Sequence, residues 1–339
     1  MNLALHIGHW DRRPFDAVEL VREAERLGFD SVWTSEAWGS DAVTTLTWVA
    51  AHTSVIGVGT AVMQIPARTP AAAAMTAITL DHLTGGRFRL GLGTSGPQVA
   101  EGWHGVPFED PLGRTREYVA VVRAALRREH PVEHHGRNYD LPLRGGTGLG
   151  RALKPGVVPL RPDLPVYLAA MGPRNVALAA EIADGWIPIL FSPERADLFR
   201  PSLDEGFARR GGRPELFDVA PMAPVAVGRD LEECRNRIRP FVALYVGGMG
   251  ARGTNFYNAL VARYGYEEQA RRIQELYLSG RRREAAAQVP DDLIDELALV
   301  GPPERIRDRL GAWREAGATT LLAQTADVAE LRALMEASG

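Results

Sequence analysis

Two short stretches of this chain gather the side chains best suited to chemistry. His9, Trp10 and Asp11 follow one apolar run, and Glu36, Trp38 and Asp41 follow the next. Imidazole and carboxyl groups there could exchange protons beside indole rings that pack against a ligand. Asp41 also has a simpler reading, because it precedes a helical run and suits the N-cap position. Backbone makes a second kind of site. The stretch 165–186 reads strand, tight turn, helix, strand, and its turn is Ala170-Met171-Gly172-Pro173-Arg174. Pro173 fits the first helical position, and the N–H groups from Arg174 onward would point out of the helix end unpaired. Such an end attracts a phosphate, although an ordinary strand-to-helix connection has the same pattern. Gly93-Thr94-Ser95-Gly96 closes another strand with glycines that let backbone approach a flat ligand or an anion.

The motifs that are missing narrow the chemistry. There is no GxxxxGK[ST] phosphate loop, no HExxH and no GxSxG. His134 and His135 are adjacent and point in different directions within an irregular segment, so no metal site is expected. The single cysteine, Cys234, allows no intramolecular disulfide. Phosphate-friendly turns without an evident nucleophile point to a bound cofactor that carries the reaction. A net charge of −3 over 339 residues gives no basic footprint for nucleic acid. No apolar run approaches the ~20 residues of a membrane span, so the membrane is excluded as a partner and the cytoplasm is the expected location.

These stretches need a scaffold, and the hydrophobic periodicity supplies one. Strands are expected to start at Asn2, Asp30, Val55, Arg87, Pro165, Trp186, Phe217 and Thr319, each joined to the next through helix. The connecting helices are expected over 14–27, 41–52, 70–83, 114–128, 193–210 and 302–316, with a terminal one over 326–337. The segment 130–164, with a hairpin near Gly136, and the largely helical segment 241–290 read as insertions. Eight β/α units in one domain over 1–339 make a (β/α)8 TIM barrel, an α/β fold. In such a barrel the loops after the strands hold the functional residues, and every stretch above falls in one.

The chain resembles the luciferase-like barrels, and within them the branch of coenzyme F420-dependent oxidoreductases. The resemblance runs along the whole chain. It is carried by Glu23-Ala24-Glu25-Arg26-Leu27-Gly28-Phe29-Asp30-Ser31-Val32-Trp33, by 59–70 with its Arg68-Thr69-Pro70 ending, and by Leu80-Asp81-His82-Leu83-Thr84-Gly85-Gly86-Arg87-Phe88. Residues 90–93, the 165–186 stretch and Gly301-Pro302-Pro303-Glu304 add to it, and 93–105 is similar to a subgroup of these oxidoreductases.

The resemblance implies a non-prolyl cis peptide at Ala61-Val62, forming with Met63 a bulge behind a deazaflavin ring. It implies a cofactor phosphate against Ala170, Met171, Gly172, Pro173 and Arg174 and near Gly93, Thr94, Ser95 and Gly96. It also implies a homodimer. Where alcohol- and sugar-phosphate-oxidising relatives place a His, a Trp and an acid, this chain has Ala37, Asp41 and Pro97. The expected reaction is therefore reduction: hydride from reduced F420 to an activated C=C, C=N or C=O of a small organic substrate. Glu36 and His9 are the candidate proton donors, and Trp10, Trp38 and His104 the candidate substrate contacts. An FMN-dependent monooxygenase and a cofactor-binding protein without turnover are the alternatives.

Overall fold

The computed structural model describes residues 1–10 and 14–338, so Asp11 lies outside the described residues. In the first two units, β1 (Asn2–Gly8) leads to α1 (Val18–Leu27), and β2 (Ser31–Thr34) to α2 (Ala42–Ala50). Helix α1 begins four residues later than its pattern implies, where the Asp16 carboxylate accepts from the Val18 N–H at 3.0 Å. Asp41 caps α2 as expected, accepting from the Thr44 N–H at 2.6 Å. The expected third strand is divided into β3 (Gly57–Thr60) and β4 (Met63–Gln64) by a cis peptide at Ala61-Val62.

Helix α3 (Pro70–Leu83), β5 (Phe88–Gly93), the short α4 (Pro97–Ala100) and α5 (Pro111–Arg127) follow. The first insertion holds the expected hairpin, β6 (His134–His135) against β7 (Asp140–Leu141). Next come β8 (Val166–Ala169), α6 (Pro173–Ile182), β9 (Gly185–Ile187) and α7 (Arg200–Arg210). The seventh expected strand is again interrupted, as β10 (Asp218–Val219) and β11 (Met222–Val227). Helices α8 (Leu231–Ala243), α9 (Phe256–Val261), α10 (Glu267–Leu278), α11 (Arg282–Ala287) and α12 (Asp291–Leu297) then precede a strand the pattern did not announce, β12 (Leu299–Gly301). Three residues are too few to show a period. The chain ends with α13 (Pro303–Glu315), β13 (Thr320–Gln324) and α14 (Val328–Ser338).

Among the described residues every pairing between strands outside the hairpin is parallel, and only the isolated Val132–Leu153 bridge of the first insertion is antiparallel. The sequence of neighbours runs β9, β8, β5, β3, β2, β1, β13, β11. It closes because β10 pairs with β9 and Met222 bridges to Ile189 while also pairing with Leu322. Counting β3 with β4 and β10 with β11, this is the eight-stranded barrel. β12 lies outside the ring on the upper part of β11.

Large and small side chains fill the interior together. Ala4, Trp33, Tyr167, Ile187, Ala220, Met222 and Leu322 pack as one layer, with Trp33 and Tyr167 edge to face at 5.2 Å. Half-buried Ala61, Val62, Ala169, Ile189 and Phe241 rest on that layer. They lie at the C-terminal ends of the strands, the end at which a barrel opens its ligand cleft.

Candidate functional site

His6, His9 and Trp10 come from β1 and the turn after it. His6 is registered between Gln324 of β13 and Trp33 of β2. It is 4% exposed, and among the described residues neither ring nitrogen has a hydrogen-bond partner of good geometry, the Ala61 carbonyl being the acceptor that stands near; the Oε1 of Gln324 is likewise buried without a donor. Burial pushes the His6 imidazole down to about 4, His9 adds to the fall, and the Ala61 carbonyl opposes it. His6 is therefore neutral at working pH. Buried polar atoms without partners are rare in folded proteins, so two side chains with unmet polar atoms in one layer mark a place where a polar ligand edge would be satisfied.

The loops after β1 and β2 are laced together. The Trp10 N–H donates to Ser40 Oγ at 2.8 Å, and the Ser40 N–H donates to the Trp10 carbonyl at 3.2 Å. Gly39 permits this, since a Cβ there would lie 1.9 Å from the Trp10 carbonyl oxygen. Trp10 and Trp38 stand exposed at the rim, as does Trp103, which the sequence argument did not single out. His9 Nδ1 faces Ser35 Oγ at 3.3 Å.

Glu36 joins an ion-pair network. It receives Arg68 through both carboxylate oxygens, at 2.5 and 3.0 Å, and also accepts from the backbone N–H groups of Gln64 at 2.8 Å and Ala42 at 3.2 Å. Four donors thus converge on the Glu36 carboxylate, the expected proton donor, and tie it into the loops around it. Arg68 also pairs with Asp41. Burial works to raise the Asp41 carboxyl, but hydrogen bonds from Thr44 and the Arg68 charge leave it below the usual range.

Gln64 extends this network, donating to the carbonyls of Glu36 at 3.1 Å and Ala37 at 3.2 Å and meeting His104 Nε2 at 2.8 Å. His104 is thus tied into the frame of the cleft. Gln64 and Arg68 were missed as site residues. Their only sequence signal was membership of the 59–70 motif.

The expected cofactor contacts divide by burial. Ala61 and Val62 form the bulge on the floor, whereas the Met63 side chain is fully buried in the core between strands and helices. Gly93 is buried beside Val62, and Thr94, Ser95 and Gly96 are half-buried. Ser95 has φ +60, a left-handed conformation unusual for a residue with a side chain and frequent at functional loops. Ala170 is buried, with its carbonyl accepting from Trp186 Nε1 at 2.8 Å. Gly172, Pro173 and Arg174 are exposed, and no side chain caps the start of α6 at Gly172. The helix begins at Pro173, where its sequence places the start.

A family model for luciferase-like monooxygenases matches residues 6–320. The chain belongs to this family. The luciferase-like chain is 48% identical over 339 residues, 98% of each protein, to one of Mycobacterium tuberculosis provisionally named a coenzyme F420-dependent oxidoreductase. It is 28% identical over 319 residues, 92% of this chain and 90% of the relative, to 5,10-methylenetetrahydromethanopterin reductase of Archaeoglobus fulgidus. Among solved structures it is similar to the coenzyme F420-dependent tetrahydromethanopterin reductase of Methanopyrus kandleri, with TM-score 0.82 and 24% identity, covering 99% of this chain and 97% of that one. That last likeness concerns the fold.

Proposed function

We propose that the luciferase-like chain is a coenzyme F420-dependent oxidoreductase that works in the reducing direction on an activated C=C, C=N or C=O of a small organic molecule. The relative at 48% identity supports the choice of cofactor. The observation that carries the reading is the floor of the cleft: the apolar Ala61-Val62 bulge beside the unmet polar atoms of His6 and Gln324. A deazaflavin is a flat ring with apolar faces and a polar edge, and the floor suits both a face and that edge. The uncapped start of α6 and the 93–96 loop suit its phosphate.

When bound, reduced F420 supplies the hydride. The chain's own residues hold, orient and enclose. Ala61 and Val62 back the ring, while neutral His6 with Gln324 hydrogen-bonds a polar edge. The Glu36–Arg68–Asp41 network fixes the loops after β2 and β4, and Trp10 and Trp38 shield the rim from water. With Glu36 committed to Arg68, His9 is the remaining candidate for moving a proton. A homodimer is part of this reading.

The test is anaerobic turnover of a panel of enones, imines and ketones with reduced F420, followed by the return of deazaflavin absorbance. Reoxidation that depends on one of these acceptors is the expected outcome. Oxygen-dependent product with reduced FMN, or tight F420 binding without turnover on any acceptor, would overturn the proposal.

A further inference from the structure

The segment 241–266 is unusually aromatic, with Phe241, Tyr245, Phe256, Tyr257, Tyr264 and Tyr266 in 26 positions. Phe241 is the link to the cleft, for it packs on the same interior layer as Ala61, Val62, Ala169 and Ile189. From it a ladder rises: the rings of Phe241 and Tyr245 are 4.7 Å apart, and those of Tyr245 and Tyr257 are 4.8 Å apart at 77°.

The ladder is built to hold its shape. Helix α8 passes into a π-helical turn, Leu244–Gly248, which carries Tyr245, and such turns recur at functional sites. Buried Asn255 ties both tyrosine-bearing segments. Its amide donates to the Tyr245 and Val246 carbonyls, both at 3.1 Å, and its Oδ1 accepts from the Tyr257 N–H at 2.9 Å and the Asn258 N–H at 3.1 Å. Gly247 and Gly248 lie against the Tyr277 side chain, where a Cβ would come within 2.5 and 2.4 Å of it.

The four tyrosines of the segment differ in one respect. Tyr264 donates to the Leu190 carbonyl and Tyr266 to Glu296, both at 2.9 Å, which pins the insertion over the barrel top. The phenols of Tyr245 and Tyr257 make no hydrogen bond among the described residues, although burial pushes Tyr257 up to about 12 and Tyr245 further. Both therefore keep their protons at working pH, and because both residues are only half-buried, their hydroxyls are accessible donors not spent on the protein.

We propose that Phe241, Tyr245 and Tyr257 form the substrate subsite of the cleft, and that it takes a planar conjugated carbonyl compound, its ring against the ladder and its oxygen accepting from the phenols. This rests on the reductase reading, in which a conjugated carbonyl is the hydride acceptor, and narrows its substrate class. Flat rings gain from edge and face contact with aromatic side chains, and two unpaired donors select an oxygen acceptor over a hydrocarbon.

The experiment is calorimetric titration of the protein without cofactor, comparing 1-tetralone with tetralin, which has the same carbon frame and no carbonyl. Wild type is expected to bind the ketone at least tenfold more tightly. Tyr245→Phe and Tyr257→Phe should each lower that ratio at least threefold, and the double variant should bring it near one. These substitutions remove no hydrogen bond among the described residues, so the fold is expected to be retained. Phe241→Ala should weaken both compounds. Equal binding of the two compounds by wild type, or a ratio that survives the double substitution, overturns the subsite. F420 titration separates this from the cofactor reading. A ketone preference in a protein that binds no F420 sinks the cofactor alone, and F420 turnover with no ketone preference sinks the subsite alone.

Discussion

At the scale of the residue, His6 makes the sharpest claim. Its imidazole falls from the ordinary 6.5 to about 4 on folding, chiefly through burial. Between those values the unfolded chain takes up a proton that the folded chain refuses, so stability must fall as pH drops through this window and level off below it. The shift corresponds to on the order of 3 kcal/mol at 1.36 kcal/mol per unit. His6→Gln removes the titration and should flatten urea-unfolding free energy between about pH 4 and pH 7; parallel slopes for the two proteins would dismiss the assignment. Gly172→Val addresses the phosphate. A Cβ at Gly172 meets nothing within 4 Å, and its φ of −75 suits any residue, so thermal stability should hardly move. Affinity for F420 should drop more than tenfold, about 1.4 kcal/mol; an unchanged titration would place the phosphate elsewhere. The sequence pattern made the α6 start readable because Gly-Pro at a helix entrance is a local signal. It could not reveal His6, which stands in an apolar run where a single imidazole looks like core, and only the closed barrel brings Gln324 beside it.

At the scale of the element, one ion-pair network does for the loops what packing does for the strands. Arg68 joins the turn after β4 to Glu36 after β2 and Asp41 at the head of α2, and Gln64 carries the connection to His104 beyond β5. Glu36 and Arg68 are 8% and 20% exposed, so removing one partner leaves a largely desolvated charge. Arg68→Leu should cost about 3 kcal/mol in urea unfolding, and Glu36→Gln on the Arg68→Leu background should recover at least half. Additive losses would show that the two side chains act separately. The sequence offered Glu36 as an acid because a carboxyl after a barrel strand is a common catalytic arrangement, and Arg68 lies 32 residues away, beyond any local pattern. The interruptions of β3 by Ala61-Val62 and of β11 before Met222 were hidden for a related reason: apolar runs continue through them. The role of the second insertion was equally illegible, since helical periodicity does not tell which surface a helix covers. Tyr264 on the Leu190 carbonyl answers that for its first half.

At the scale of the molecule, the barrel leaves one face that its own chain does not finish. The outward side of α3 presents Ala71, Ala72, Met75, Thr79, His82 and Leu83, with no acidic or basic side chain other than the histidine. His82 Nε2 lies 2.8 Å from the Val158 carbonyl, which brings exposed Val157, Val158 and Leu160 of the first insertion against the end of the helix. Met75 and Leu83 are 65% and 69% exposed and stand about two turns apart on this side of the helix. The proposed homodimer gives this face an occupant, since a two-fold interface requires one patch that complements itself. Placing like charges across such an axis is the direct trial. Met75→Asp with Leu83→Asp should move the protein from dimer to monomer in sedimentation velocity, without a change in F420 affinity, because α3 turns its exposed side away from the cleft. A wild-type monomer at micromolar concentration, or a double variant that stays dimeric, would remove this face from the reading. Retained F420 binding in the monomer would further show that each barrel completes its cofactor site alone, as expected when His6, Gln324, Ala61, Val62 and the start of α6 all come from one chain.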